Sequence, residues 1–415
     1  MARIHQARRV LSYVFGISCL FVVFLAVALL GRPLAFDHPQ QLPDLHSPPT
    51  SQLALQDSAA PAISIARPSN RPSLPVYGNN YGLSSTECSS QFPYLFREIE
   101  RSVALRGKIG NVSLSDIDVS WRLDGAVRAM IYDQKVYVIQ AGINGNGYHR
   151  TRSLALLHQI NRAILASRFA IPNVEFSFNV HDVADELHEH RTIWGLSRQP
   201  VDIEMWLMPD FGYWSWPLDL VGGYEQMRAE MGEYETDWNK KISKALWRGD
   251  IRTNKEVRGA LVRVTRGKEW ADVEEMAWTS MTDVSDGSAG VLVPIPEHCT
   301  YKFLVQTEGH SYSGRGKYLL NCASITIMHR AEWIEPHHHL LVPSGPLQNF
   351  VEVERDFSDL EEKVEELLQD PERAKAIVNN SVATFRDRYL TPAAQACYWR
   401  QLFLSWASDS GVWQT

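Results

Sequence analysis

Cys299-Thr-Tyr-Lys-Phe-Leu-Val-Gln-Thr-Glu-Gly-His-Ser-Tyr-Ser-Gly-Arg-Gly-Lys-Tyr-Leu-Leu-Asn-Cys322 changes character twice along its length. Tyr301 to Thr307 reads as a strand centred on Phe303, Leu304 and Val305. Glu308 to Ser313 is small and polar. Gly314-Arg315-Gly316-Lys317 opens a short helix through Tyr318, Leu319 and Leu320, and a second strand is expected at Ile325 to Met328. Strand, polar loop, basic glycine turn, helix and strand is how α/β proteins hold phosphorylated ligands. Glycines let the backbone approach, the helix N-terminus offers unpaired N–H groups, and Arg315 adds a planar fork of donors. Ser311 and Ser313 offer hydroxyls to the same oxygens. A Gly-Arg-Gly turn with no ligand fits the pattern too.

Outward from this stretch, strands and helices alternate. Asp133 to Ala141 holds a predicted strand, Val136-Tyr137-Val138-Ile139. Thr151 to Phe169 carries Leu154, Leu156, Leu157, Ile160, Ile164 and Leu165 at helical spacing. Val174 to Val180 alternates as a strand. Trp247 is expected to follow a basic helix and to open a second such series. Ser358-Asp359-Leu360-Glu361 has the form of a capping box, with Leu360, Val364, Leu367 and Leu368 on one helical face. Asp370-Pro371 starts another helix, with Pro at the tolerated first position. This alternation predicts an α/β fold with parallel sheets.

Val10 to Gly31 is almost unbroken apolar sequence, and about twenty such residues span a bilayer as a helix. Arg3, Arg8 and Arg9 precede it, which places the N-terminus in the cytosol and the rest in a lumen. A cleaved signal peptide ending near Ala26-Val27-Ala28 is the rival; the length of the run favours an anchor. Residues 32–85 are rich in Pro, Ser, Gln and Ala and read as a flexible stem. The remainder suffices for two ordinary domains, and 45% hydrophobic residues suit a sizeable core. A net charge of -7 argues against nucleic acid as a partner.

Beyond the apolar run lie Cys88, Cys299, Cys322 and Cys397. An even number in a lumenal domain suggests two disulfides, and the positions favour Cys299–Cys322 and Cys88–Cys397. Asn111-Val112-Ser113 and Asn379-Asn380-Ser381 are sequons that fit a secretory route.

Other chemical candidates have two readings each. Asp182 follows a strand, where open α/β sheets place catalytic groups, and reads as a general base or as a helix cap for Ala184 onward. Trp247-Arg248-Gly249-Asp250, with Arg258 one to two helical turns on, is a second anion site or an exposed turn. Phe211 to Pro217, with Trp214 and Trp216, stacks on a sugar or joins the core. His337, His338 and His339 are adjacent, so their side chains diverge and no shared metal is expected. No Asp-x-Asp motif sits where it would clamp a metal and a diphosphate.

Taken in order, several pieces resemble the capsule-associated and protein O-glucosyltransferase family, glycosyltransferase family 90. They are Asn179-Val180-His181-Asp182, Ser215-Trp216-Pro217, Trp247-Arg248-Gly249, Cys299-Thr300-Tyr301-Lys302-Phe303, Ser313-Gly314-Arg315-Gly316-Lys317 and Cys397-Tyr398-Trp399, and both cysteine pairs fall where the family has disulfides. The resemblance covers roughly Cys88 to Phe403. It implies a GT-B fold of two Rossmann-like domains. It also implies an inverting transfer from a UDP-sugar to a hydroxyl, with no metal and no other cofactor. Asp182 matches the family's base. Arg315 and the loop His310, Ser311, Tyr312, Ser313 and Gly314 match its diphosphate loop, and Arg258 matches a second donor-binding arginine. Asp250 stands where relatives carry a donor-contacting serine, and Asp219 where they carry a donor-contacting tyrosine. Trp214 and Trp216 are weaker candidates for the acceptor.

The expected organisation is a cytosolic tail at 1–9, an anchor at 10–31 and a stem at 32–85. An N-terminal domain holding acceptor and base then spans 86–215, a C-terminal donor domain 216–392, and a closing helix 393–415. The chain ends Val412-Trp413-Gln414-Thr415 with no retention signal, which favours the Golgi over the endoplasmic reticulum. The expected substrates are a UDP-sugar carrying xylose or glucose and a glycan, glycolipid or protein acceptor. The alternative is an inactive, membrane-tethered sugar-binding protein of the same fold, a reading that Asp219 and Asp250 favour. A glycoside hydrolase would leave Arg258 and Arg315 without a role.

Overall fold

The computed structural model describes residues 78–122, 124–143, 147–182, 192–217, 221–276 and 292–410. The expected tail and anchor, most of the stem, Asp219 and the helix from Ala184 lie outside them. Among the described residues no helix is long and apolar enough to cross a membrane.

Two helices open the fold, α1 (Ser85–Gln91) and α2 (Arg97–Ile109), followed by β1 (Asp124–Tyr132), β2 (Lys135–Ile143), α3 (Gly147–Leu165), β3 (Val174–Asn179), β4 (Trp194–Gly195) and β5 (Trp206–Leu207). The first sheet runs β2-β1-β3-β4-β5. Helix α4 (Tyr224–Tyr234) leads to β6 (Ile242–Gly249), α5 (Lys255–Thr265), β7 (Ala271–Glu275), β8 (Tyr301–Gln306), α6 (Gly316–Leu319), β9 (Ile325–His329) and β10 (Val351–Val353). The second sheet runs β10-β9-β8-β6-β7. Helices α7 (Leu360–Gln369), α8 (Pro371–Ser381) and α9 (Pro392–Asp409) close the chain.

The second sheet is parallel throughout, as the alternation predicts. The first is mixed: β1 is antiparallel to both β2 and β3, and only β3-β4-β5 are parallel. Asp133 and Gln134, at φ 48° and 60°, make the tight turn between β1 and β2. Two consecutive left-handed residues give a turn whose twist matches a hairpin. Asp-Gln lacks the glycine that usually marks such turns, so the hairpin is hidden in the sequence.

Two sequence expectations need adjustment. The residues before Trp247 form strand β6, not a basic helix: between α4 and β6 there is a single helical turn, Trp238–Lys240. Lys241 is buried, with its ammonium bonded to Glu235 and 3.2 Å from the Ser324 hydroxyl, so it faces the interior just before β6 instead of lying on an exposed basic helix. The capping box at Ser358 does not form. Asp359, the cap residue of α7, instead accepts from Glu354 N at 2.8 Å and pairs with Lys363 at 2.7 Å. Helix α8 does start as expected, with Asp370 accepting from Arg373 N at 3.0 Å.

Both expected disulfides are present. Cys88–Cys397 ties α1 to α9, and Cys299–Cys322 brackets the glycine turn. Helix α9 covers the first sheet with aromatic rings. Trp406 lies edge-on to Trp194 at 5.4 Å and to Trp206 at 5.1 Å, and Phe176 stacks on Trp194 at 4.2 Å. Each such ring buries about 150–250 Å², worth up to roughly 4–6 kcal/mol by area. The second core lies between its sheet and α5, α7 and α8, around Trp247, Val305, Ile327, Leu261, Leu360 and Ile377.

Candidate functional site

Parallel pairing of β6 with β8, Ala245 opposite Phe303 and Leu246 opposite Leu304, brings the C-terminal ends of both strands together. Loops at such ends form the ligand crevice of an open α/β sheet. Asn254 caps α5 by accepting from Val257 N at 3.2 Å, and its amide donates to Gly309 O at 3.1 Å. That cap fixes the direction of Arg258. The Arg258 guanidinium donates to Glu308 O at 2.9 Å and to Asp250 O at 2.8 Å. Arg315 reaches the carbonyl of Arg248. Both guanidiniums flank the Trp247 ring, 5.9 and 5.8 Å from its centre, and Trp247 is fixed by donating to Thr307 Oγ1 at 3.1 Å.

Among the described residues neither Arg258 nor Arg315 forms a close ion pair; the Asp250 carboxylate, already bonded to Arg252, acts on Arg258 only at longer range. Burial pushes Arg258 down to about 10, and burial with the neighbouring Arg258 pushes Arg315 down to about 9. Both stay protonated at neutral pH. Two adjacent cations bonded only to carbonyls are an unfinished electrostatic arrangement, which a multiply charged anion would complete.

Arg315 faces a cavity of about 170 Å³ walled by Trp216, Val293, Pro294, Ile295 and His298. A Cβ on Gly314 would lie 2.6 Å from the Trp216 ring, so this turn admits only glycine without a shift. Burial and then Arg315 push His298 down to about 3, which keeps the wall neutral. An apolar slot ending in a cation suits a flat group attached to an anion.

Asp182 sits just past β3. Its Oδ1 accepts from Arg152 Nη1 at 2.7 Å, and Arg152 also donates to Val180 O at 3.0 Å. Arg152 is buried between the Tyr148 and Phe211 rings, 4.2 and 4.6 Å away, whereas the Asp182 side chain is 44% exposed. The carboxylate is thus held from behind and open in front. Burial and then Arg122 push the adjacent His181 below its ordinary pKa, so it adds no charge at neutral pH. The Ser311 hydroxyl donates to the Asp182 main-chain carbonyl, which brings the base candidate and the glycine-turn loop into direct contact.

The remaining candidates divide. Asp250 forms a two-pronged pair with Arg252 and caps the following turn, and this pairing with Arg252 lowers its pKa. Its charge is therefore answered locally. Tyr312 is turned inward onto Asp210, and His310 is exposed. Ser313 accepts from Gln306 Nε2 at 2.8 Å through its carbonyl. Trp216 walls the cavity, whereas Trp214 stacks on His158 of α3 at 4.9 Å. Asn111 and Asn379 are exposed. His337 packs against Phe385 and His339 bonds the Tyr94 carbonyl at 2.6 Å. Among the described residues no group of His, Cys, Asp or Glu is arranged to hold a metal ion. The sequence reading missed Arg152 and Asp210: one lies mid-helix, the other in a loop, and no spacing rule connects them to Asp182 or Arg315.

Residues 85–409 match the family profile described as Glycosyl transferase family 90. The chain is 26% identical over 213 residues to Protein O-glucosyltransferase 1 of Rattus norvegicus, covering 48% of this chain and 53% of that protein. It is 28% identical over 252 residues to the O-glucosyltransferase rumi homolog of Aedes aegypti, covering 56% and 60%. To the homolog of Anopheles gambiae it is 25% identical over 306 residues, covering 68% and 74%. The match to the rat protein therefore spans about half of that relative's length.

Proposed function

The chain belongs to glycosyl transferase family 90, and from that membership we propose that it is a UDP-sugar-dependent, inverting, metal-independent glycosyltransferase of GT-B architecture. The observation that carries this reading is the pair Arg258 and Arg315, both protonated against Trp247 with no close ion pair among the described residues. Their countercharge is the diphosphate of the donor. As the glycosidic bond breaks, charge grows on the departing UDP, and fixed donors in a recessed site stabilise it without reorganising. The cavity beside Arg315 suits the uracil.

Asp182 is the base. It removes the proton from the acceptor hydroxyl as that oxygen attacks the anomeric carbon from the face opposite UDP. The Ser311 bond to the Asp182 carbonyl keeps base and donor loop in register, so the attacking and leaving groups share one frame. The acceptor is a hydroxyl of a protein, glycan or glycolipid, and the sugar is glucose or xylose. Similarity to protein O-glucosyltransferases favours glucose and protein. Two disulfides fit an oxidising, secretory compartment, with a membrane anchor at residues 10–31.

The test is to incubate the purified chain with UDP-glucose or UDP-xylose and candidate acceptors, with and without chelator. Transfer should occur and survive the chelator. Asp182→Asn should keep its affinity for UDP while transfer falls about 10²–10⁴-fold, the usual contribution of a general base. Near-normal turnover by that variant would sink the assignment of the base. Absence of UDP binding by the parent chain would sink the donor.

A further inference from the structure

The loop that carries Arg315 belongs to the second sheet, yet it is held in place by a carboxylate from beside the first. Asp210 follows β5 by a few residues and is nearly inaccessible, as is Lys317: their side chains are 4% and 2% exposed. Asp210 Oδ1 accepts from Lys317 Nζ at 2.7 Å and from Gly212 N at 2.6 Å. Oδ2 accepts from the Tyr312 hydroxyl. The same Lys317 ammonium donates to Gly314 O at 2.6 Å. One carboxylate therefore grips the loop at Tyr312 directly and at Gly314 through Lys317. Arg315 is the next residue.

Asp210 is itself anchored. Its carbonyl accepts from Gln159 Nε2 at 2.9 Å, and the Gln159 Oε1 accepts from Trp399 Nε1 of α9 at 3.1 Å. With Ser311 bonded to Asp182, the loop is fixed to the first half at three points, and the Arg315 fork lies against the Trp247 ring, bonded to the Arg248 carbonyl. We propose that Asp210 is a positioning residue for the donor, the group through which the first half of the fold sets the loop that holds the diphosphate. This rests on the donor reading of Arg258 and Arg315. Asp210 touches no substrate; it acts by fixing a backbone conformation that a free loop would have to adopt on binding, at a cost in affinity.

The test uses Tyr312→Phe, which removes one hydroxyl from the network, and Asp210→Asn, which keeps shape but not charge. Three quantities are measured on the whole chain: hydrogen exchange of the peptide covering residues 307–315, affinity for UDP, and donor KM against kcat. Loss of a bond that leaves a buried carboxylate oxygen unpaired should weaken UDP binding and raise donor KM roughly fivefold to thirtyfold in Tyr312→Phe, with kcat at saturating donor nearly kept. Loop exchange should rise in step. A merely structural Asp210 would lower the melting temperature and leave donor KM and UDP affinity of the folded protein unchanged; that result overturns the proposal, as does unaltered loop exchange. Should Asp210→Asn not fold, Tyr312→Phe decides alone. A parent chain with no affinity for UDP overturns the donor reading instead, and raised loop exchange in Tyr312→Phe would still support the latch.

Discussion

The two sides of the glycine-turn loop treat positive charge in opposite ways. On one side Arg258 and Arg315 lie against Trp247 with only carbonyls as partners. On the other, Lys317 is buried with an aspartate, a carbonyl and aromatic rings around it. Burial exacts a desolvation penalty from both sets of cations, but among the described residues only Lys317 is answered by a carboxylate in direct contact; Arg258 feels Asp250 at longer range and Arg315 none. The difference separates two uses of charge in one short segment. The balanced ammonium fixes architecture, and the unbalanced guanidiniums wait for a ligand. It also accounts for the order of residues: Arg315 caps the short helix α6 and Lys317 lies two positions on, so they face different sides.

The largest effect expected from this contrast is on stability. Lys317→Met removes the one cation that, among the described residues, is bonded to the Asp210 carboxylate, and leaves that charge buried. Breaking a buried pair from one side costs about 3–5 kcal/mol. Urea denaturation should show that loss, and UDP should recover part of it by binding only the folded form. A shift below about 0.5 kcal/mol would mean that Asp210 is solvated or otherwise paired, and the contrast would fail.

Arg315→Gln should do the reverse. It should weaken UDP binding by about 1.5–3 kcal/mol, the worth of a charge-assisted bond to phosphate, or roughly 10- to 100-fold. The ligand-free protein should lose no stability, because the removed charge had no counterion. Arg315→Lys should recover little of the binding, since an ammonium lacks the planar fork. Calorimetric titration with UDP, beside denaturation of the same variants, measures both. Equal destabilisation by Arg315→Gln and Lys317→Met would show that both cations are architectural.

The sequence revealed one side of this contrast far better than the other. Arg315 was legible because strand, polar loop, glycine turn and helix are contiguous, and contiguity is what motif reasoning detects. Asp182 was legible as a group after a strand, and the cysteine pairs as an even set. Arg152 and Asp210 were not, because each acts on residues far along the chain, and only the folded structure shows which loops meet. The β1–β2 hairpin was hidden for a local reason, its turn of Asp133 and Gln134 lacking glycine. The expected helix before Trp247 failed because Lys241 is buried beside Glu235, which no charge pattern announces. Asp250, a suspect for repelling the donor, is answered by Arg252 two residues on. That pairing was visible in the sequence only as an ordinary charged turn.

The smallest effect, and the sharpest check on the balanced side, concerns Glu335. It lies near Asp210, Lys317 and Glu308, in a wall shared by two small cavities. Lys317 supplies one positive charge and Asp210 already uses it, so a second carboxylate there should be neutral. Burial pushes Glu335 up to about 8, with Asp210 and Glu308 adding to the rise and Lys317 opposing it. An acid whose folded-state pKa lies above its unfolded value of 4.5 stabilises the fold while it is protonated. Its contribution is complete below that unfolded value. It is drawn down as pH rises towards about 8, and because the side chain is only partly buried, solvent screening holds the loss across that range to about 1 kcal/mol. Glu335→Gln cannot ionise, so its stability should fall less than that of the parent between pH 5 and 8, with the two curves converging at the acid end. Denaturation midpoints of both proteins across that range decide the matter. Parallel curves would mean that Glu335 ionises freely, and that the cluster around Lys317 holds more negative charge than a single ammonium can balance.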